Sequence, residues 1–346
     1  MERTRIGVVG AGFMGGLHAR AVAESGTGAV VAIADPDTAR AATLAAQWGG
    51  AVYPSHEAML AAERLDGVVV ATPEPLHREA VAAAAARGCA VMVEKPIAHT
   101  LEDADAMIAA CEGAGVPLLV AYILRHEPAY ARINQAVRAG TIGRPLTFYG
   151  RRNAPIGEGR RLAGRTSVIN YLAVHDLDQM LWSHREPVRR VTARAVRGRI
   201  FAEYGVADFT WIMAEFADGA LAVVESGWAL SDGWASWTQP ADWGGFGDVE
   251  LNVIGADGVL SLDFTPMNLY GVDASEGWKL PDTRHWPTIN GRLAGAIRAE
   301  GDHFLRVVRR EEPPIVDGRE ARRSLEIGIA ADRSIAEDRP VTLPLG

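Results

Sequence analysis

The sequence predicts an α/β protein in which a doubly wound parallel sheet precedes a second domain of α+β type. Three observations carry this prediction. Short apolar strands alternate with helical stripes up to about residue 121, which is typical of a parallel sheet with right-handed crossovers. A glycine-rich turn follows the first of these strands directly. After residue 122, several strand-like segments follow one another with no helix between them, which indicates antiparallel or mixed pairing.

Length and composition narrow the choice of function. At 346 residues the chain is expected to form about two domains, 1–121 and 122–346. A net charge of −8 without any block of Lys or Arg argues against a nucleic-acid binder. The two cysteines, Cys89 and Cys111, form no metal or disulfide pattern, and no apolar run is long enough to cross a membrane. Since no signal peptide is expected either, a cytoplasmic protein without a metal fits best.

The first strand, predicted at residues 5–9, leads straight into a glycine motif. The motif comprises Gly10, Ala11, Gly12, Phe13, Met14 and Gly15. In a dinucleotide-binding turn the first glycine (Gly10) permits the tight turn, the second (Gly12) lets the backbone approach a pyrophosphate, and the third (Gly15) packs helix on strand. Since the motif lies between a strand and a helical stripe, it predicts a dinucleotide site in which Phe13 and Met14 also take part.

Asp35 completes this pattern about 20 residues further on, where an acid binds the adenosine ribose hydroxyls. It ends a second apolar run at residues 30–34. A carboxylate there repels a 2′-phosphate, so NAD is favoured over NADP, although the nearby Arg40 leaves some tolerance of NADP open. The alternative is an acid that only shapes the turn before Pro36.

Further strand ends are expected at the same edge of the sheet, where open α/β sheets bind their ligands. The remaining strands of this part are predicted at 67–71, 90–93 and 117–121. Thr72 with Pro73, and Glu94 with Lys95, directly follow two of them and are candidates for cofactor contact. His77, in the helix predicted from 76 to 87, is interpreted either as a helix-surface histidine or as a cofactor contact.

Lys95 is the strongest candidate for a chemical role. The chain is rich in Arg and has only two lysines, Lys95 and Lys279. Only the lysine amine is a compact and readily titrated donor, so a lone Lys at a strand end predicts a catalytic or ligand-binding group. A surface lysine before a turn is the alternative for Lys95, and it is the preferred interpretation of Lys279.

The second part of the chain is predicted as a mixture of helices and consecutive strands. Helices are expected at 127–139, 169–182, 291–310 and 319–337, strands at 145–151, 188–197, 207–217, 220–229, 249–254 and 258–264, and a basic, glycine-rich loop at 152–167. The segment 227–247 holds four tryptophans among glycines. Its aromatic side chains are equally suited to stack on a sugar ring, to fill a subunit interface or to form a small core cluster.

His175 is the second candidate for a chemical role. It shares a face of the helix predicted at 169–182 with Tyr171 and Asp178, four residues before it and three residues after it. Histidine is the usual general acid or base near neutral pH. The alternative is a buried helix histidine that is bonded to a neighbouring carboxylate.

These motifs together resemble the Gfo/Idh/MocA oxidoreductase family over nearly the whole chain. The resemblance rests on the Gly10 to Gly15 turn, Ala71-Thr72-Pro73, Glu94-Lys95-Pro96-Ile97 and His175-Asp176-Leu177-Asp178, which stand in the family's order. It implies an N-terminal Rossmann domain and a C-terminal domain built on an open mixed sheet. Members are often dimers or tetramers that pack through that sheet, and many oxidise a secondary hydroxyl of a sugar, amino sugar or cyclitol with NAD or NADP.

The resemblance also implies roles for single residues. Lys95 matches the family lysine that hydrogen-bonds the reacting oxygen, His175 matches the catalytic histidine, and Arg125 falls where some members contact substrate or cofactor. One position departs from the family's pattern. Inositol-dehydrogenase-like members carry an Asp four residues before the histidine, whereas this chain has Tyr171, preceded by Asn170. Either Tyr171 then donates to the same oxygen or Asp178 orients His175. Tyr171 is the preferred substitute, because it lies one turn towards the helix N-terminus, the direction in which helix side chains lean.

The leading prediction is an NAD-dependent dehydrogenase, a homodimer or homotetramer, that acts on a cyclic polyol or sugar. Two other functions stay open. One is a dinucleotide-binding sensor without turnover, which the missing Asp favours and the retained Lys95 and His175 oppose. The other is a hydrolase or epimerase-like enzyme that uses tightly held NAD transiently.

Overall fold

The computed structural model describes residues 3–231, 248–263 and 285–345, and the backbone alone of Gly271–Asp273 and Gly277–Lys279. The chain divides into two compact units, Met1–Glu127 with His285–Arg322, and Pro128–Arg284 with Arg323–Gly346. The chain passes from the first unit to the second after Glu127, close to the predicted boundary at 121–122. The return of the segment His285–Arg322 to the first unit was not predicted.

The strands are β1 Thr4–Val9, β2 Gly28–Ala34, β3 Ala51–Tyr53, β4 Gly67–Val70, β5 Ala90–Glu94, β6 Leu118–Ala121, β7 Pro145–Pro155, β8 Val188–Val196, β9 Phe209–Phe216, β10 Leu221–Leu230, β11 Asp248–Gly255, β12 Val259–Asp263, β13 Gly271–Asp273, β14 Gly277–Lys279, β15 Thr288–Ile289, β16 Arg292–Leu293 and β17 Val341–Thr342. The helices are α1 Phe13–Glu24, α2 Thr38–Trp48, α3 His56–Ala62, α4 His77–Ala86, α5 Leu101–Ala114, α6 Pro128–Arg138, α7 Ile156–Leu162, α8 Val174–Ser183, α9 Arg199–Tyr204, α10 Ala296–Val308 and α11 Gly318–Glu337.

The first unit contains a six-stranded sheet in the order β3-β2-β1-β4-β5-β6. Its neighbouring strands pair in parallel, as in β1 beside β2, where Val9 lies opposite Ala34. This is the strand order of dinucleotide-binding sheets, in which ligands bind where the order reverses, here between β1 and β4. The prediction of a doubly wound parallel sheet is therefore confirmed. Strand β3 was not predicted, because three residues are too few to show an alternating pattern.

The second unit contains a seven-stranded sheet in the order β12-β11-β7-β10-β9-β8-β17. Strand β7 pairs in parallel with β10 and antiparallel with β11, so the sheet is mixed, as predicted. Helices α7 and α8 contact one face of β7 and β10. Residues of the other face, such as Trp211 and Leu221, keep more than a third of their surface exposed.

The predicted loop at 152–167 was wrong. Strand β7 continues to Pro155 and helix α7 follows it at once. The buried guanidinium of Arg152 is paired inside the unit, which makes a strand possible where the arginines of the sequence suggested a loop. Trp228 is fully buried and donates from Nε1 to the carbonyl of Ala207 (2.8 Å), so it is a core residue. The rest of the tryptophan-rich segment, 232–247, lies outside the described residues.

Candidate active site

The glycine turn between β1 and α1 has the geometry that the motif predicts. Gly10 has a φ of 95°, and a Cβ atom there would lie 2.6 Å from the carbonyl oxygen of Ala71. A Cβ on Gly15 would lie 1.9 Å from the carbonyl oxygen of Gly10, so only glycine lets helix and strand pack this closely. Around Gly12, which caps α1, nothing lies within 4 Å of the corresponding position. The helix N-terminus is therefore open for a pyrophosphate.

Asp35 ties the end of β2 to this turn. Its Oδ2 accepts from the backbone N–H of Ala11 (2.7 Å), and its Oδ1 accepts from the N–H of Asp37 (2.8 Å) and from Nη2 of Arg40 (2.8 Å). Burial raises the pKa of Asp35, but Arg40 and the two N–H groups outweigh burial, so the pKa lies below its ordinary value. A carboxylate offers about four acceptor positions, so the anion keeps room for a ribose hydroxyl.

Thr72 and His77 shape the edge beside β4. The Oγ1 atom of Thr72 is buried and has no hydrogen-bond partner among the described residues, as expected of a group that a bound ligand completes. His77 has no exposed surface. Its Nε2 lies 2.9 Å from the Thr72 carbonyl oxygen and its Nδ1 lies 3.0 Å from the Ile97 carbonyl oxygen. The interpretation as a helix-surface histidine is therefore wrong, because His77 links the two loops that follow β4 and β5. Pro73, beside Thr72, is exposed.

Glu94, the last residue of β5, hydrogen-bonds the backbone of Lys95. Its Oε1 lies 2.8 Å from Nε2 of the buried His18, and its Oε2 accepts from the backbone N–H of Lys95 (3.2 Å). Burial raises the pKa of Glu94, but His18 and then Lys95 outweigh burial, and the pKa lies below its ordinary value. Glu94 is thus a buried anion whose contacts with His18 and with the Lys95 N–H are structural, while Lys95 beside it is partly exposed. Sequence reasoning missed His18, which is 76 residues away.

Two further candidates of the first unit differ in exposure. Phe13 is 64% exposed and meets Trp286 edge to face, with ring centroids 5.8 Å apart. Arg125 is buried, and its Nη1 donates to the carbonyl of Ile315 (2.8 Å) and to Glu320 (2.8 Å). This nitrogen of Arg125 serves the fold of the first unit, and its contact with substrate or cofactor stays a prediction. Met14 is partly buried in the first turn of α1.

In the second unit, His175 lies in the first turn of helix α8, next to the buried ion pair of Asp176 with Arg152. A π-helical turn, Ile169–Ala173, precedes it, a feature that is frequent at functional sites. The neighbouring Asp176 accepts two hydrogen bonds from Arg152, at 2.7 and 3.1 Å, and the same guanidinium donates to Tyr130 (3.0 Å). His175 and Asp178 are both buried.

Tyr171, at the position of the absent family carboxylate, contacts a carboxylate from another element. Its hydroxyl donates to Oε1 of Glu158 in α7 (2.7 Å) and accepts from Nη2 of Arg161 (3.3 Å). Burial, followed by the charge of Glu158, raises the pKa of Tyr171 well above its ordinary value. The phenol therefore stays protonated with its one proton given to Glu158. Neither Glu158 nor Arg161 was predicted, because α7 was expected to be a loop. Asn170 donates its backbone N–H to Ser167 (3.2 Å).

Among the described residues, no group of three or more His, Cys, Asp or Glu side chains is arranged to hold a metal ion. Both cysteines are free and buried. Within the same part of the chain, the helices are too short or too polar to span a bilayer.

Comparison with known proteins agrees with this geometry. The family described as "Oxidoreductase family, NAD-binding Rossmann fold" matches residues 4–122, and the GFO/IDH/MocA C-terminal domain matches residues 130–261. The chain is 34% identical to the rhizopine catabolism protein MocA of Rhizobium meliloti over 72% of this chain and 80% of that protein. It is 28% identical to the scyllo-inositol 2-dehydrogenase (NAD(+)) of Bacillus subtilis, over 99% and 97% of the two chains.

A solved structure shares the fold over almost its full length. The scyllo-inositol dehydrogenase of Lactobacillus casei with bound NAD(H) and scyllo-inositol superposes with a TM-score of 0.84, at 18% identity, and 99% of each chain is covered. Together with the glycine turn, the strand order and the two matched domains, these likenesses identify the chain as a member of the Gfo/Idh/MocA family of NAD-binding oxidoreductases.

Proposed function

We propose that this protein is a cytoplasmic NAD-dependent dehydrogenase that oxidises a secondary hydroxyl of a cyclic polyol or sugar. The observation that carries the proposal is Lys95, which follows β5 at the ligand edge of the parallel sheet and is supported by the buried pair Glu94–His18. The buried pair lies next to one of only two lysines of the chain. Such an arrangement is typical of a lysine with a catalytic role rather than of a lysine that keeps the surface soluble. The relatives named as inositol and scyllo-inositol dehydrogenases support this substrate class.

The roles of the two central residues follow from their chemistry. NAD, when bound, supplies the nicotinamide that accepts the hydride. His175 takes the proton of the substrate hydroxyl as the general base. The Lys95 ammonium stabilises the negative charge that develops on the same oxygen, a contribution that is usually large in a desolvated site. The products are the ketone, NADH and a proton that His175 passes to solvent.

For the missing carboxylate, the hydrogen bond of Tyr171 and the burial of Asp178 favour Asp178 over Tyr171. Tyr171 has given its only proton to Glu158, so its phenol has no second proton to donate to a substrate oxygen. Asp178 is shielded from water one turn after His175, which is the condition for a carboxylate that orients a catalytic histidine. Asn170, Tyr171 and Arg125 remain proposed substrate contacts.

We further propose NAD rather than NADP as the cofactor. The buried anionic Asp35 repels the 2′-phosphate of NADP. The exposed Arg40, which pairs with Asp35, is the cation that would attract this phosphate.

We also propose a homo-oligomer, a dimer or tetramer, that forms through the exposed face of the mixed sheet. Trp211 and Leu221 on this face are large apolar side chains with more than a third of their surface exposed. Light scattering coupled to gel filtration tests this, and a monomer at micromolar concentration would contradict it.

A substrate screen tests the proposed activity. Purified protein is offered sugars, amino sugars and cyclitols with NAD, and NADH formation is read by absorbance, with Lys95→Ala as the matched inactive control. Turnover by the native chain alone supports the dehydrogenase. Tight NAD binding without turnover would support the sensor, and copurified NAD without net NADH would support the hydrolase or epimerase-like enzyme.

A further inference from the structure

His18 is a buried polar side chain that the proposed mechanism does not use. It lies in α1 and has no exposed surface, and its Nε2 atom lies 2.8 Å from Oε1 of Glu94, the last residue of β5. Removing two polar groups from water costs free energy, and apolar side chains of similar size often pack in such a place with equal or greater stability. Stability of the fold therefore does not account for the pair, which indicates a function for this contact.

The direction of the hydrogen bond between His18 and Glu94 follows from the charge of Glu94. Burial raises the pKa of Glu94, but His18 and then Lys95 outweigh burial, so the pKa lies below its ordinary value and the group is an anion. A carboxylate can only accept, so Nε2 of His18 carries the hydrogen and donates it. The other ring nitrogen, Nδ1, is buried and has no hydrogen-bond partner among the described residues. A glutamine, whose amide nitrogen is a donor at a similar reach, should therefore replace His18 in this contact.

The second carboxyl oxygen of Glu94 contacts the main chain of Lys95. Its Oε2 accepts from the backbone N–H of Lys95 (3.2 Å). Pairing of β5 with β6 ends at Glu94, opposite Ala121, and pairing of β5 with β4 ends at Val93. The ladder of the sheet therefore does not reach Lys95. Because His18 holds the anion at one oxygen, the other oxygen has a fixed orientation and can hold the N–H of Lys95 where the ladder no longer does.

Helix α1, which carries His18, is held closely from two sides. A Cβ atom on Gly15 would lie 1.9 Å from the carbonyl oxygen of Gly10, and one on Gly301 of α10 would lie 2.8 Å from that of Ala21. Such close packing leaves the helix little freedom to shift. The N-terminus of α1 is also the place expected for a pyrophosphate. The bond of His18 to Glu94 therefore joins the end of β5 to the helix that binds the cofactor in the proposed function.

We propose that His18 is a positioning residue for Lys95: it orients the Glu94 carboxylate, which holds the backbone N–H of Lys95 and so sets the point from which the amine extends. Leucine in place of His18 would fill the space but would leave Glu94 without this donor. The carboxylate would then take up a proton or turn away from the N–H. In this assignment His18 contacts neither substrate nor cofactor. The inference rests on the proposed function only through the catalytic role of Lys95.

The first test needs no substrate, because the chain has only two lysines. Protein labelled with ¹⁵N-lysine gives two amide signals in an NMR spectrum, from Lys95 and Lys279, and Lys279→Arg assigns them. An amide proton that is bonded to a carboxylate resonates downfield. The Lys95 signal should therefore move upfield in His18→Leu and stay near its native position in His18→Gln, while the Lys279 signal stays in place in both. An unmoved Lys95 signal in His18→Leu would overturn the proposal, whatever the substrate screen finds.

A double variant separates positioning from stability. His18→Leu alone leaves Glu94 buried without its partner, and loss of one member of such a pair destabilises a fold. His18→Leu combined with Glu94→Leu removes both polar groups, so thermal unfolding and circular dichroism should remain close to native. Its Lys95 amide signal should nevertheless move as in His18→Leu. A native Lys95 signal in the folded double variant would show that the pair does not hold the N–H, and it would overturn the proposal.

Kinetics test the effect on the amine once a substrate is known. His18→Leu should lose about tenfold in kcat with little change in the KM for NAD, as expected of a displaced catalytic group, whereas His18→Gln should retain kcat within about threefold. The matched control is His56→Leu. It removes another histidine–glutamate pair of the first unit, that of His56 Nε2 with Oε1 of Glu57 (3.2 Å), and it should keep the native kcat.

Two kinetic outcomes contradict the positioning role. Native kcat in His18→Leu, or an equal loss in His18→Leu and His18→Gln, would overturn it. Failure of the proposed function gives a different result. In that case Lys95→Ala keeps its turnover, or none of the offered substrates is oxidised, while the Lys95 amide signal still depends on His18.

Discussion

The ligand edge of the first unit and helix α8 of the second unit place their candidate residues in different ways. At the ligand edge, Gly10, Asp35 and Lys95 each follow a strand directly, so backbone geometry decides their position. Around α8, distant side chains decide the environment, as where Glu158 reaches Tyr171 from another helix. A cofactor site that the backbone positions in this way tolerates few substitutions. Around His175, by contrast, one side chain can take over the contact that another made.

The largest expected effect concerns the buried pair of the second unit. Asp176→Asn leaves the Arg152 guanidinium buried without its countercharge, and loss of one partner from such a pair costs about 3–5 kcal/mol. Chemical denaturation measures the free energy of unfolding. Glu203→Gln is the control, because its pair with Arg160 is exposed and is worth about 1 kcal/mol or less. Equal losses in both variants would show that the two pairs are alike.

Lys95→Ala should have the largest effect on catalysis. Removal of the ammonium leaves the developing negative charge without its donor, so kcat should fall by at least roughly 100-fold while NADH still binds. Steady-state kinetics and a fluorescence titration with NADH measure the two properties. Lys279→Ala, which removes the other lysine of the chain, should leave kcat unchanged. Near-native turnover in Lys95→Ala would refute its assignment.

The neighbours of His175 should differ in a smaller but measurable way. Asp178→Asn should lower kcat by about tenfold or more with little effect on NAD binding, since an amide no longer holds the imidazole in its working orientation. Tyr171→Phe should stay within about threefold, because the phenol proton already serves Glu158. The reverse order of the two losses would make Tyr171 the substitute for the family carboxylate.

The smallest effect is expected in cofactor preference. Asp35→Ser removes the charge that opposes a 2′-phosphate and frees Arg40, so the ratio of kcat/KM for NAD to that for NADP should fall by about tenfold. Asp35→Ser combined with Arg40→Ala should recover part of the ratio. Equal kcat/KM for both cofactors in the native protein would show that Asp35 does not select between them.

Local patterns were sufficient to predict much of the first unit. The predicted strand at 5–9 corresponds to β1, and Thr100, which caps α5, accepts from the N–H of Asp103 (3.1 Å). Such features depend on residues close in sequence, where strand periodicity and capping act. The predicted helix at 169–182 exists too, but its first turn is π-helical, which periodicity does not show.

By itself the sequence determined the parallel sheet, the glycine turn and the positions of Lys95 and His175, because each follows from residues adjacent along the chain. Only the tertiary structure decided that His18 meets Glu94, that Arg152 meets Asp176 and that Glu300 is buried without a donor among the described residues. The reason is physical. Whether a polar side chain is an exposed charge, a paired ion or a neutral acid depends on its burial and its partners. Those partners lie in elements that are far away along the chain, so the local sequence pattern does not show them.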